Sequence, residues 1–107
     1  MGDVDRFAAL SEPHRRQMVE LIARGPLSSG AVAARFDLSA AAVSQHLKVL
    51  RESGLVKVAV DGPRRIYSLD MDGLETVDAW IADVRRFWSG RLDALEAVLG
   101  EEKGDRK

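Results

Sequence analysis

The side chains best placed to do chemistry in this chain are Ala40, Ala41, Ser44, Gln45, Lys48 and Arg51. All fall within SAAAVSQHLKVLRESG, Ser39 to Gly54, at spacings that gather them on one side of a helix. That side is small at its start, hydroxyl and amide in its middle, and cationic at its end. Such a face suits non-covalent reading of a duplex, because short polar groups reach base edges, methyls pack on thymine and cations meet phosphates. Covalent chemistry has little to work with. The chain has no cysteine nucleophile and no glycine-rich phosphate loop. Ser44 and His46 form no dyad, since residues two apart on a helix do not face each other. The absence of cysteine also excludes disulfides and thiolate metal sites. The only histidines are His14, expected at the surface in the first turn of a helix, and His46, expected to pack or to lie beside phosphates. No metal and no cofactor is therefore expected, and no enzyme.

The elements that must hold this face are written around it. Ser39 can cap the helix and Gly54 can close it in a left-handed conformation, while Val43, Leu47 and Leu50 make its buried stripe. Upstream, Asp3 to Leu10 predicts a first helix with Val4, Phe7, Ala8 and Leu10 on its apolar side. Ser11, ahead of Glu12 and Pro13, predicts the start of a second helix that runs to Arg24, where Gly25 and Pro26 stop it. Its core residues should be Met18, Leu21 and Ile22. Leu27 to Phe36 predicts a short third helix starting near Ser28 or Ser29, with Val32, Ala33 and Phe36 inward. The third helix and the Ser39 helix then form a helix-turn-helix.

Downstream, Val56, Val58 and Val60 alternate with Lys57, Ala59 and Asp61. A turn over Asp61, Gly62 and Pro63 leads into a returning strand from Arg65 to Leu69. The result is a hairpin with Arg64 and Arg65 at its tip, a wing beside the reading helix. Ser28, Ser29, Ser39 and Lys57 complete the candidate DNA-contacting set. After a polar break over Asp70 to Gly73, one long helix is expected over about 74–99. The fold class is thus mostly α with a small β-hairpin, a winged helix-turn-helix in the order α-α-α-α-β-β-α. Residues 1–99 are expected to form one domain and residues 100–107 a disordered tail.

The 107 residues carry a net charge of −1, but the charge is segregated. Residues 28–69 hold six basic and three acidic groups, whereas residues 70–107 hold six basic and ten acidic. A positive middle and an acidic tail fit a binding face whose far side is kept off a polyanion. No apolar run reaches the length of a membrane span or signal peptide, so the expected location is cytoplasmic, with no membrane partner.

The last helix carries more apolar surface than a small core can cover. Leu74, Val77, Ile81, Val84 and Trp88 step by three and four, Leu92, Leu95 and Leu99 continue after a stutter, and Trp80 and Phe87 broaden the face. The expected use is a homodimer interface over Val4, Phe7, Leu74, Val77, Trp80, Ile81, Val84, Phe87, Trp88, Leu92 and Leu95. The alternative use is a pocket for an apolar effector lined by Trp80, Phe87 and Trp88.

Three blocks, ALSEPHRRQMVELI, LSAAAVSQHLKVLRESGLV and VKVAVDGPRRIYSLD, resemble in this order the ArsR/SmtB bacterial transcriptional regulators. The resemblance spans roughly Phe7 to Leu69. It implies a homodimer joined through the first and last helices, binding a roughly palindromic operator and usually repressing. It places base contacts on Ala40, Ala41, Ser44 and Gln45 with Lys48 nearby, and wing contacts on Arg64 and Arg65. The metal-sensing branches are not matched. Where some members carry a cysteine cluster this chain has Ala33, Ala34, Arg35, Phe36 and Asp37, and no histidine joins Asp78, Asp83 and Asp93 in the last helix. FWSGRLDALEAVL resembles the ending of a metal-independent branch. The expectation is a sequence-specific DNA-binding repressor acting as a homodimer on an inverted-repeat operator, with an unidentified small-molecule effector as a further partner. The alternative is a winged-helix protein-interaction module that binds no DNA.

Overall fold

The computed structural model describes residues 5–104, the last four as backbone only. Val4 of the expected interface and residues 105–107 of the expected tail lie outside the described residues. The chain divides into two units, residues 1–77 and residues 78–107.

Helix α1, Arg6–Leu10, is capped by Asp5, whose side chain accepts the Phe7 N–H at 2.9 Å. Five residues cannot sustain a helix alone. Helix α2, Pro13–Ala23, holds its end: Arg15 Nε donates to the Ala9 carbonyl at 2.7 Å, and Arg16 Nη1 donates to those of Leu10 at 2.7 Å and Ser11 at 3.1 Å. The cap of α2 is Glu12 rather than Ser11. With Pro13 in the first helical position the residue before it must cap, so the Glu12 carboxylate accepts the His14 N–H at 2.9 Å. Ser11 instead closes α1, its hydroxyl donating to the Ala8 carbonyl at 2.6 Å.

The start of the expected third helix is a strand. Residues Leu27–Ser28 form β1, and α3 is correspondingly short, Ser29–Ala33. Helix α4, Ala40–Glu52, follows, then β2, Val56–Asp61, and β3, Arg64–Leu69. The sheet is antiparallel in the order β1-β3-β2, with Leu27 opposite Tyr67 and Val58 opposite Tyr67 on the other side. Between β2 and β3, Gly62 has φ 62°, which suits glycine at the start of a two-residue hairpin loop.

Helix α5 spans Met71–Gly104, beginning earlier and ending later than the sequence suggests. Asp70 caps it, its Oδ1 accepting the Asp72 N–H at 3.2 Å, so the expected polar break is the helix's own first turn. Gly73 lies buried in that turn, against the carbonyl of Gly54. The core comprises Ala9, Met18, Ile22, Val32, Val43, Leu47, Leu50, Leu55, Val56 and Tyr67. Leu21, expected with them, is half-buried. Leu74 and Val77, expected at a dimer interface, pack against this core. The apolar residues of the second unit are different: Trp80, Ile81, Val84, Phe87, Trp88, Leu92 and Leu95 are all exposed. No helix among the described residues is long and apolar enough to cross a membrane.

Candidate nucleic-acid interface

Helix α4 is fixed from both ends and from beneath. The Ser39 hydroxyl accepts the Ala42 N–H at 3.1 Å, satisfying one of the unpaired amides of the first turn. At the other end Gly54, with φ 80°, turns the chain out, and the Leu55 N–H returns to the Leu50 carbonyl at 3.1 Å. Val43, Leu47 and Leu50 are at most 2% exposed. Burying such side chains contributes about 1.5–3 kcal/mol each, which holds the opposite face outward. Ala40, Ala41, Ser44, Gln45, Lys48 and Arg51 are all exposed on it.

The wing adds one arginine to that face and not the other. Residues directly opposite in an antiparallel pair share a side of the sheet. Val58 pairs with buried Tyr67, so the next pair on that side is Val60 with Arg65. Arg65 accordingly joins Ser29, Ala40 and Ser44 around a groove of about 220 Å³ floored by Val43, Leu47 and Tyr67. Arg64 and Lys57 take the alternate register positions, opposite Asp61 and Ser68, on the other side of the hairpin. Arg64 also meets Asp61 at 3.4 Å, an exposed pair of little energetic weight. Ser28 is half-buried and occupied: its hydroxyl caps α3 by accepting the Ala31 N–H at 3.1 Å.

Beneath the reading face lies a network that the sequence conceals. His14, expected as a lone surface residue, is half-buried and stacks on His46 with ring centroids 5.8 Å apart. Glu12 faces both, with Oε1 at 3.1 Å from His14 Nδ1 and Oε2 at 3.2 Å from His46 Nε2. Arg15 Nη1 is 3.3 Å from His46 Nδ1. An arginine can only donate, so in that contact Nδ1 is the acceptor, while Glu12 Oε2 is buried and lies near Nε2 without completing a hydrogen bond. The Glu12 carboxyl is held below its ordinary pKa, first by the His14 backbone N–H against the opposing effect of burial, then by the two imidazoles. Glu12, His14 and His46 offer donor atoms within 4.8 Å of one another, a spacing that a metal ion could bridge. The guanidinium beside His46 opposes a cation there. Metal-bound histidines also normally donate their second N–H to an acceptor, which Arg15 is not. The network is better suited to locking α4 onto α2.

A capped helix with a polar outward face, preceded by a short helix and followed by a hairpin whose arginine borders the same groove, defines a winged helix-turn-helix DNA-binding domain. A helix-turn-helix domain family model matches residues 10–59. The chain is 40% identical over 99 residues, 92% of its length and 90% of the relative's, to HTH-type transcriptional regulator Rv2034 of Mycobacterium tuberculosis. Among solved structures, it is similar to an ArsR family transcriptional regulator, RHA00566 (TM-score 0.71, 28% identity, 78% of this chain and 86% of that one). It is also similar to a possible transcriptional regulator for arsenical resistance (TM-score 0.69, 38% identity, 91% and 95%). The chain belongs to the ArsR/SmtB-like family of winged helix-turn-helix transcriptional regulators. It is a DNA-binding transcriptional regulator, and the family is not one of enzymes.

Proposed function

We propose that the protein is a cytoplasmic homodimeric repressor that reads an inverted-repeat operator with two copies of α4. The observation that carries this reading is the exposed face of α4, set above a fully buried stripe and continued by Arg65 across one groove. Ser44 and Gln45 reach base edges, glutamine being suited to adenine, while Ala40 or Ala41 packs on a thymine methyl. Lys48 and Arg51 meet phosphates, and Arg65 reaches the backbone or minor groove beside the helix. Pairing is supported by the apolar run from Trp80 to Leu95, where Trp80, Phe87, Trp88 and Leu95 are each more than half exposed in the single chain. Phe7, 40% exposed on α1, belongs to the same proposed interface. Two reading helices in successive major grooves stand about 34 Å apart, so the half-sites should be one helical turn apart or slightly more.

Fluorescence anisotropy on the DNA upstream of its own coding sequence, at several salt concentrations, tests this. A dimer making six to ten phosphate contacts should lose about a thousandfold or more in affinity between roughly 50 and 200 mM salt. Gln45→Ala should cost about 1–3 kcal/mol on the operator and relax preference at one base pair. Binding that shows no preference over random duplex at low salt would favour the protein-interaction module.

A further inference from the structure

Arg6, the first residue of α1, makes no hydrogen bond or ion pair with another described residue. Its side chain lies across the join between the end of α4 and the start of α5. A Cβ on Gly54 would stand 2.8 Å from Arg6 Nη2, and one on Gly73 3.2 Å from Arg6 Nε. Nε is buried with no acceptor. A guanidinium is always charged, and one that is partly withdrawn from water and has no ion-pair partner among the described residues attracts an anion more strongly than one in open solvent.

Beside Arg6 is a cavity of about 370 Å³. That is within the range of small-molecule sites, about 300–1,000 Å³. Its lining carries both signs of charge. Asp5 is engaged as the cap of α1, but Glu52 is exposed and, among the described residues, forms no ion pair with Arg6 or any other cation. A cation and a carboxylate that border one cavity without touching call for a ligand bearing the complement of both. Phosphate would meet two carboxylates, and a metal ion would meet the guanidinium. The Thr76 hydroxyl, which already donates to the Asp72 carbonyl, retains lone pairs that can accept from an ammonium. Phe7 gives the lining an apolar side chain.

We propose that this cavity binds a free α-amino acid with an apolar side chain, its carboxylate on Arg6, its ammonium at Glu52 and Thr76, and its side chain against Phe7. The lining includes Glu52, Ser53 and Gly54, the last residue, cap and closing turn of the reading helix. An occupant there bears on the seating of α4. That effector role rests on the proposed DNA reading, whereas the binding itself does not.

Isothermal titration calorimetry on the full chain without DNA tests the site. The probes are L-leucine and L-phenylalanine, each against its deaminated counterpart, 4-methylpentanoate or 3-phenylpropanoate. Saturable binding of at least one amino acid is expected. Its counterpart should bind about tenfold more weakly or worse, and Arg6→Met and Glu52→Gln should each weaken the amino acid by a similar factor, as the loss of a charge-assisted hydrogen bond implies. No binding of either amino acid, or equal binding of acid and amino acid, overturns the proposal. Wild-type protein that ignores both amino acids while Arg6→Met changes its oligomeric state on a sizing column also overturns it, and assigns Arg6 to a carboxylate of a second copy. Amino-acid binding that leaves operator affinity unchanged retains the site and overturns the effector role. Because the titration contains no DNA, its failure leaves the operator experiment standing, and the reverse holds too.

Discussion

Gly73→Ala should destabilise the protein, although the same exchange inside an exposed helix gains about 1 kcal/mol. Gly73 is buried in the first turn of α5. A Cβ there would lie inside the van der Waals envelope of the Gly54 carbonyl oxygen, 2.7 Å from the carbonyl carbon and 3.2 Å from Arg6 Nε. The nearest two atoms are backbone and cannot rotate away. Overpacking of this kind costs about 1–3 kcal/mol. Separating the two segments also strains the Asp70 N–H to Leu55 carbonyl bond, 2.9 Å long and sited at the same join. That bond is worth about 1 kcal/mol net. Against the helix-propensity gain, the balance is a loss of about 1–3 kcal/mol, or roughly 5–20 °C in Tm for a domain of this size. Gly90, in the same helix, has nothing within 4 Å of its Cβ position, so Gly90→Ala should be neutral or stabilising by up to about 1 kcal/mol. Urea unfolding of both variants and the wild type, each at several protein concentrations, separates chain stability from association. A Gly73→Ala protein as stable as the wild type would mean that the two segments do not meet as closely as described.

Three further outcomes are expected. Ser39→Ala removes the acceptor of the Ala42 N–H and should cost about 1 kcal/mol in the same urea assay; no loss would mean that solvent caps α4 equally well. Arg65→Ala should weaken operator binding more than Arg64→Ala, because only Arg65 borders the groove with Ser44; equal or reversed losses by anisotropy would contradict the hairpin register. The depressed pKa of Glu12 means that its ionised form stabilises the fold above the ordinary glutamate value of 4.5, and that this contribution is lost as pH falls through the lower folded value. Glu12→Gln keeps an oxygen to cap α2 but cannot titrate, so the stability difference between wild type and variant should shrink on acidification. A difference constant from neutral to acid pH would refute the linkage.

What the sequence displays best is what local rules decide. Helix α4 is legible because Ser39, Gly54 and the stripe of Val43, Leu47 and Leu50 agree on its ends and its buried side, and the hairpin because alternation and Gly62-Pro63 agree on its turn. Strand β1 is not, since Leu27 and Ser28 are too few to alternate and exist as a strand only by pairing with Tyr67 and Ile66, far along the chain. The start of α5 is obscured because Asp70 to Gly73 has the composition of a break; tertiary contact with Gly54 makes a glycine in a helix the fitting residue. Glu12, His14 and His46 share no periodicity that would announce a network, and only the packing of α2 on α4 brings them together. The separation of Arg65 from Arg64 follows from the alternating sides of a strand once the register is known.

The grip of Arg15 and Arg16 on α1 has an evolutionary corollary. Both arginines hold main-chain carbonyls, those of Ala9, Leu10 and Ser11, and so make no demand on the side chains of the helix they anchor. The outward positions of α1 are therefore open to mutational drift while its seat is maintained from α2. Such a lineage could exchange one binding partner at this surface for another without first having to rebuild the DNA-reading half of the molecule.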